Sequence, residues 1–216
     1  MVKLIIFDLD GTLCDTICDL ADAVNYALAQ RGYPTHSVEE VQSMVGSGIK
    51  NLVTRSMPEK ERYEDNINLT KEYFFEYYKI HFADKTVAYK GILETVNTLK
   101  DKGIKLAVCT NKEDSMAKCV VKKLFGDIFS LVIGQSDKFP LKPAPDSSYY
   151  IMETFGARKE ETVFIGDSDV DIKTANNVGL KSIGVSWGFR SVQELIDNGC
   201  KNIAGHPSDI IKLLEV

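Results

Sequence analysis

The chain has 216 residues, a formal net charge of −5, 44% hydrophobic and 26% charged residues. That length supports one large domain, or one domain with a smaller insert. An acidic balance disfavours a nucleic-acid binder, which presents a basic face, and no run approaches the ~20 apolar residues of a membrane-spanning helix.

In chain order, the first element is an apolar run, KLIIF (3–7), read as a strand and followed at once by DLDGT. The opening stretch is too short and too acidic for a secretory leader, so the expected location is the cytoplasm. Residues 10–104 show helical periodicity and no convincing strand. ICDLADAVNYALAQRG predicts an amphipathic helix stopping at Gly32, and SVEEVQSMVG a helix capped by Ser37. RYEDNINLTKEYFFEYYKIHF predicts a long helix whose aromatics (Tyr73, Phe74, Phe75, Tyr77, Tyr78, Phe82) serve helix packing. A block of this length exceeds any ordinary crossover, so 15–85 is expected to form a separate helical domain between core segments 1–14 and 86–216. A helix over GILETVNTLKDKG then leads to four more apolar runs: KLAVC (105–109), SLVIG (130–134), TVFIG (162–166) and KSIGVS (181–186). Continuous apolar strands alternating with helices predict a doubly wound, parallel α/β sheet. The five cysteines (Cys14, Cys18, Cys109, Cys119, Cys200) are an odd set, expected as reduced thiols rather than a disulfide framework.

Ligands of an open α/β sheet bind beyond the carboxyl ends of its strands, and there every strand here ends in polar chemistry. Asp8, Asp10, Gly11 and Thr12 follow the first, and Thr110, Asn111 and Lys112 the second. A loop bearing Lys142 follows the third, and Asp167, Ser168, Asp169 and Asp171 the fourth. Acidic clusters converging on one sheet edge cannot all stay ionised without a cation. Mg²⁺, with its preference for oxygen ligands and substrate phosphate, is the expected one. Lys142 suits an anionic substrate, and Thr110 is placed where a helix begins, so that its hydroxyl and nearby N–H groups face phosphate oxygens.

The set DLDGTLCDT (8–16), TN with Lys112 (110–112), LKPAPD (141–146), GDSDVD (166–171) and IGVSWGFR (183–190) resembles the haloacid dehalogenase superfamily, in its phosphoglycolate phosphatase-like branch. The resemblance spans essentially the whole chain. It implies a Rossmann-like core with an inserted α-helical cap domain, and a Mg²⁺-dependent phosphatase acting on a small phosphate monoester through an aspartyl-phosphate. By the same resemblance Asp8 is the nucleophile and Asp10 the general acid and base. The metal ligands are Asp8, Asp10 through its carbonyl, and Asp167, with Asp171 an alternate or orienting ligand. Thr110, Asn111 and Lys142 hold the phosphoryl group. VGSG (45–48) resembles the cap loop that faces substrate, making Gly46, Ser47 and Gly48 substrate-binding candidates, with Lys50 and Arg55 placed to meet a remote anionic group.

Two rival readings are a sugar-phosphate phosphomutase and a non-enzymatic phospho-accepting receiver module. Against the first, LCDTICDLADAVN lacks the hinge histidine of such mutases; against the second, receivers carry no long helical insert. The expected partner is a small phosphorylated metabolite, with no nucleic acid and no membrane, on a monomer or weak homodimer.

Overall fold

Four residues, LIIF, form strand β1 (Leu4–Phe7), every one of them fully buried. Its continuous apolar character is explained by its neighbours. β1 lies at the centre of a six-stranded sheet, paired in parallel on both edges, so neither face meets water. The computed structural model describes residues 1–214.

After β1 the two-residue strand β2 (Cys14–Asp15) carries the chain out of this first unit. The second unit, Thr16–Val87, is built from α1 (Ile17–Gln30), α2 (Val38–Met44), α3 (Ile49–Ser56) and α4 (Glu64–His81). Ser37 opens α2 with a reciprocal capping box: its hydroxyl accepts from the Glu40 N–H, and the Glu40 carboxylate accepts from the Ser37 N–H. Of the α4 aromatics, Phe74 and Tyr78 are fully buried, and Tyr77 stacks on Tyr26 of α1. The unit's two chain ends are fastened by one carboxylate. Asp19, 2% exposed, accepts from the Lys85 N–H, the Thr86 N–H and the Thr86 hydroxyl. Truncation there strands the two buried Thr86 donors at about 1–3 kcal/mol each, the Lys85 N–H being partly buried. Asp19→Ala is therefore expected to destabilise the protein by about 3 kcal/mol, read as a lower urea midpoint at unchanged m-value.

The strand β3 (Val87–Ala88) returns the chain to the first unit. There follow α5 (Ile92–Asp101), β4 (Lys105–Glu113), α6 (Asp114–Phe125), β5 (Leu131–Gln135), α7 (Asp146–Phe155), β6 (Thr162–Gly166), α8 (Asp169–Val178), β7 (Lys181–Val185), α9 (Val192–Asp197), β8 (Ile203–Ala204) and α10 (Pro207–Leu213). The strand order is β5-β4-β1-β6-β7-β8, the mostly parallel α/β architecture expected from the sequence. Alternation along β1 sends Leu4 and Ile6 to one face, where they pack with Ile151 of α7 and Ala175 and Val178 of α8. On the other face Phe7 meets Phe129 edge-on, 6.0 Å between ring centres.

One expectation is corrected by β4. Thr110 does not begin a helix: the strand continues through Glu113, with a register shift between Cys109 and Glu113, and α6 starts only at Asp114. Pairing of Glu113 with Gln135 on β5 holds the polar tail extended. Among the described residues no helix is long and apolar enough to cross a membrane.

Candidate active site

The strand order reverses at β1, with β4 on one side and β6 on the other, and such a switch point opens a crevice at the carboxyl ends. Register fixes what enters it. Phe7 is level with Val108 and Ile165, so Asp8, whose N–H donates to the Ile165 carbonyl at 2.9 Å, is the first residue beyond that row. Gly166 ends β6, and Asp167 follows.

Asp8, Asp167 and Asp171 each offer an oxygen within 4.8 Å of the others. The Lys142 ammonium lies among them, 2.9 Å from Asp8 Oδ1 and 2.6 Å from Asp171 Oδ1. Lys142 is held by its backbone: the Asn111 side chain accepts from the Lys142 N–H at 2.8 Å and donates to the Lys142 carbonyl at 3.1 Å. Asp171, in the first turn of α8, is fully buried; its other oxygen accepts from the Ser168 N–H (3.0 Å) and hydroxyl (2.7 Å). Both Asp171 oxygens are thus engaged, one by Lys142 and one by the helix cap.

Asp167 is differently supported. Its oxygens accept from the Thr12 hydroxyl and the Phe189 N–H, each at 2.8 Å. Among the described residues no lysine or arginine pairs with it. Gly11 (φ +86°) and Gly188 lie so close to its carboxylate that a Cβ at either would collide, and only glycine adopts the Gly11 conformation without strain. Trp187 fastens the same loop by donating from its indole to the Thr12 carbonyl at 3.1 Å. Asp10, at the rim, receives the Lys112 ammonium at 3.1 and 3.4 Å from its two oxygens.

Burial raises the pKa of Asp8, the Asp171 charge raises it further, and Lys142 offsets only part of this. Burial and then Asp171 and Asp8 raise Asp167 likewise. Burial opposes the Lys142 charge, yet Asp171 and Asp8 outweigh it and hold its pKa above the usual lysine value. The site is short of positive charge, and Asp167, preformed on two neutral donors and facing two carboxylates, fits an oxygen-seeking divalent cation.

Of the expected site residues, Asp8, Asp10, Thr110, Asn111, Lys142, Asp167 and Asp171 all belong to the first unit: after β1, within the polar tail of β4, in the loop after β5, after β6, and in the first turn of α8. Thr110 is buried, and its hydroxyl accepts from the Lys112 N–H at 3.3 Å. Gly46, Ser47, Gly48 and Lys50 belong to the second unit, between α2 and the start of α3. There Lys50 is exposed and paired with Glu64 at 2.7 Å, and Arg55 donates to the Met44 carbonyl. Sequence reasoning reads Thr12 only as part of the turn after β1, and gives no role to Lys112, Gly188 or Phe189. The motif IGVSWGFR marked the last two without saying what they hold.

A switch-point crevice holding carboxylates around a buried lysine suits the binding of a phosphoryl group. Residues 5–185 match the family model of the haloacid dehalogenase-like hydrolases, and the chain belongs to that family. It is 34% identical over 201 residues to a phosphoglycolate phosphatase of Psychrobacter arcticus, covering 89% of this chain and 87% of that one. A phosphoglycolate phosphatase of Mannheimia succiniciproducens is 32% identical over 219 residues, covering 98% of each. A solved structure from Lactobacillus delbrueckii subsp. bulgaricus superposes with a TM-score of 0.93 at 34% identity, covering 98% of both chains.

Proposed function

We propose that the chain is a Mg²⁺-dependent phosphatase that hydrolyses a small phosphate monoester through phosphorylation of Asp8. The observation that carries this reading is the buried trio Asp8, Asp167 and Asp171 with Lys142 set between two of them. Mg²⁺ would be held by the Asp8 and Asp167 carboxylates and the Asp10 carbonyl, where it supplies charge neutralisation for the phosphoryl oxygens. Asp171 serves as the orienting partner of Lys142, since both its oxygens are engaged.

In the first half-reaction an Asp8 oxygen bonds to phosphorus as the bond from phosphorus to the ester oxygen breaks, and Asp10 gives that oxygen its proton. In the second, water attacks phosphorus and loses a proton to Asp10, releasing phosphate and restoring Asp8. Lys142, pinned by Asn111, meets the charge of the transferring group, with the Thr110 hydroxyl beside it.

Phosphoglycolate is the proposed substrate, supported by the names of relatives 32–34% identical over most of the chain. The helical unit 16–87 is proposed as the cap, with Gly46, Ser47, Gly48 and Lys50 choosing the substrate. A phosphate-release screen over small phosphomonoesters with Mg²⁺, using Asp8→Asn as blank, tests this. The expected result is phosphoglycolate among the preferred substrates, with Lys50→Ala raising its KM several-fold. Release from no ester, or equal release by the blank, contradicts the phosphatase reading. An unaltered KM in Lys50→Ala removes that residue from substrate recognition.

A further inference from the structure

We propose that Lys112 is the positioning residue of the acid–base step, holding the Asp10 carboxylate toward the ester oxygen. This rests on the role given to Asp10 above and goes beyond it.

Lys112 is a lysine 4% exposed, in the polar second half of β4 that follows the apolar run Leu106–Cys109. Burying an ammonium is costly unless it is paired, and its carboxylate partner is 102 residues away, at the end of β1. The ammonium spans both Asp10 oxygens, at 3.1 and 3.4 Å, and the Lys112 N–H is itself tied to the Thr110 hydroxyl. Among the described residues no second cation pairs with Asp10. The adjacent Asn111 pins the backbone of Lys142. Two successive residues of β4 therefore fix two separate parts of the chemistry, the phosphoryl-binding lysine and the proton donor.

Asp10 lies at the rim with its side chain 15% exposed, and Lys112 is the cation that meets it there. A proton donor must lie within hydrogen-bond reach of the atom it serves, and misplacement by about 1 Å costs about 10²-fold in rate. When the Asp10 proton passes to the ester oxygen, the electron pair of the broken bond takes it up, and the carboxylate left behind faces Lys112.

Leaving-group dependence separates this role from a merely structural one. An alkyl phosphate needs its leaving oxygen protonated, whereas p-nitrophenyl phosphate departs as a stable phenolate. The parameter to measure is kcat/KM, because it ends at departure of the leaving group and excludes the later attack of water. Lys112→Met is expected to lower kcat/KM for an alkyl phosphate about 100-fold, at least ten times more than for p-nitrophenyl phosphate. Lys112→Arg, which retains the charge, should recover most of the difference. Equal losses on the two esters, or no loss, would overturn the inference. If Lys112→Met proves unstable in thermal melts, the same ratio measured in Lys112→Arg and Lys112→Gln decides, with the larger bias required in Gln. Asp8→Asn assayed alongside separates the two readings. Activity surviving in that variant refutes the phosphatase mechanism itself, while its loss together with unbiased Lys112 variants refutes only the role of Lys112.

Discussion

Asp8→Asn should be folded and inactive, with kcat reduced on the order of 10⁴-fold or more, as for removal of an attacking group that works within a unit. The chain should tolerate the change because Asp8 is not a stabilising charge. Its carboxyl is buried beside Asp171, and its pKa is raised. A carboxylate with a raised folded pKa works against folding when ionised, and that penalty grows as pH rises above the ordinary carboxylate range. Without divalent cation, the wild type should therefore lose stability between mildly acid and neutral pH, and Asp8→Asn should lose less. Thermal melts of the two proteins across that range, in EDTA, check the sign. A wild type that grows more stable than the variant as pH rises would contradict the charge account of the site.

The second large effect belongs to Lys142. Lys142→Met removes the only cation paired, among the described residues, with Asp8 and Asp171, and the latter is fully buried. Leaving one partner of a buried pair uncompensated costs about 3–5 kcal/mol, so a marked fall in melting temperature is expected. Loss of the donor facing the transferring group should lower kcat about 10³-fold in whatever protein remains folded. The double variant Lys142→Met with Asp171→Asn separates the two consequences. Neutralising both partners should return much of the stability and none of the activity. If the double variant recovers turnover, Lys142 acts only through the fold.

The sheet was legible in the sequence where apolar runs met physical necessity. LIIF and TVFIG could be read as central strands because both faces of each are covered, and continuous apolar runs mark that condition. Legibility ended where polar residues pair as strand. KLAVC was read as ending at Cys109, yet Thr110, Asn111 and Lys112 are buried in the same strand. Their polarity, which signals a loop in most sequences, here reflects what they hold. Strand β8, only Ile203–Ala204, has no run to detect. The second unit was visible as an interval too long for a crossover, and Ser37 with Glu40 announced a helix start by local spacing alone.

The site divides in the same way. Asp8, Lys142 and Asp167 could be named from their positions after successive strands, a matter of chain order. Which donors support them could not, because the bonds join distant parts of the chain: Thr12 to Asp167 across 155 residues, and Phe189 to Asp167 from the loop beyond β7. Asp171 is the instructive case. The family resemblance leaves it as an alternate or orienting ligand, and the occupation of both its oxygens by Lys142 and Ser168 favours the second of these.

Rapid acid quench of the enzyme during turnover of a radiolabelled phosphate ester with Mg²⁺, followed by peptide mapping, tests the central claim most directly. The account predicts acid-stable, hydroxylamine-labile label on the peptide containing Asp8, and none in Asp8→Asn. Undiminished turnover with no label at Asp8, or label on another residue, would contradict it.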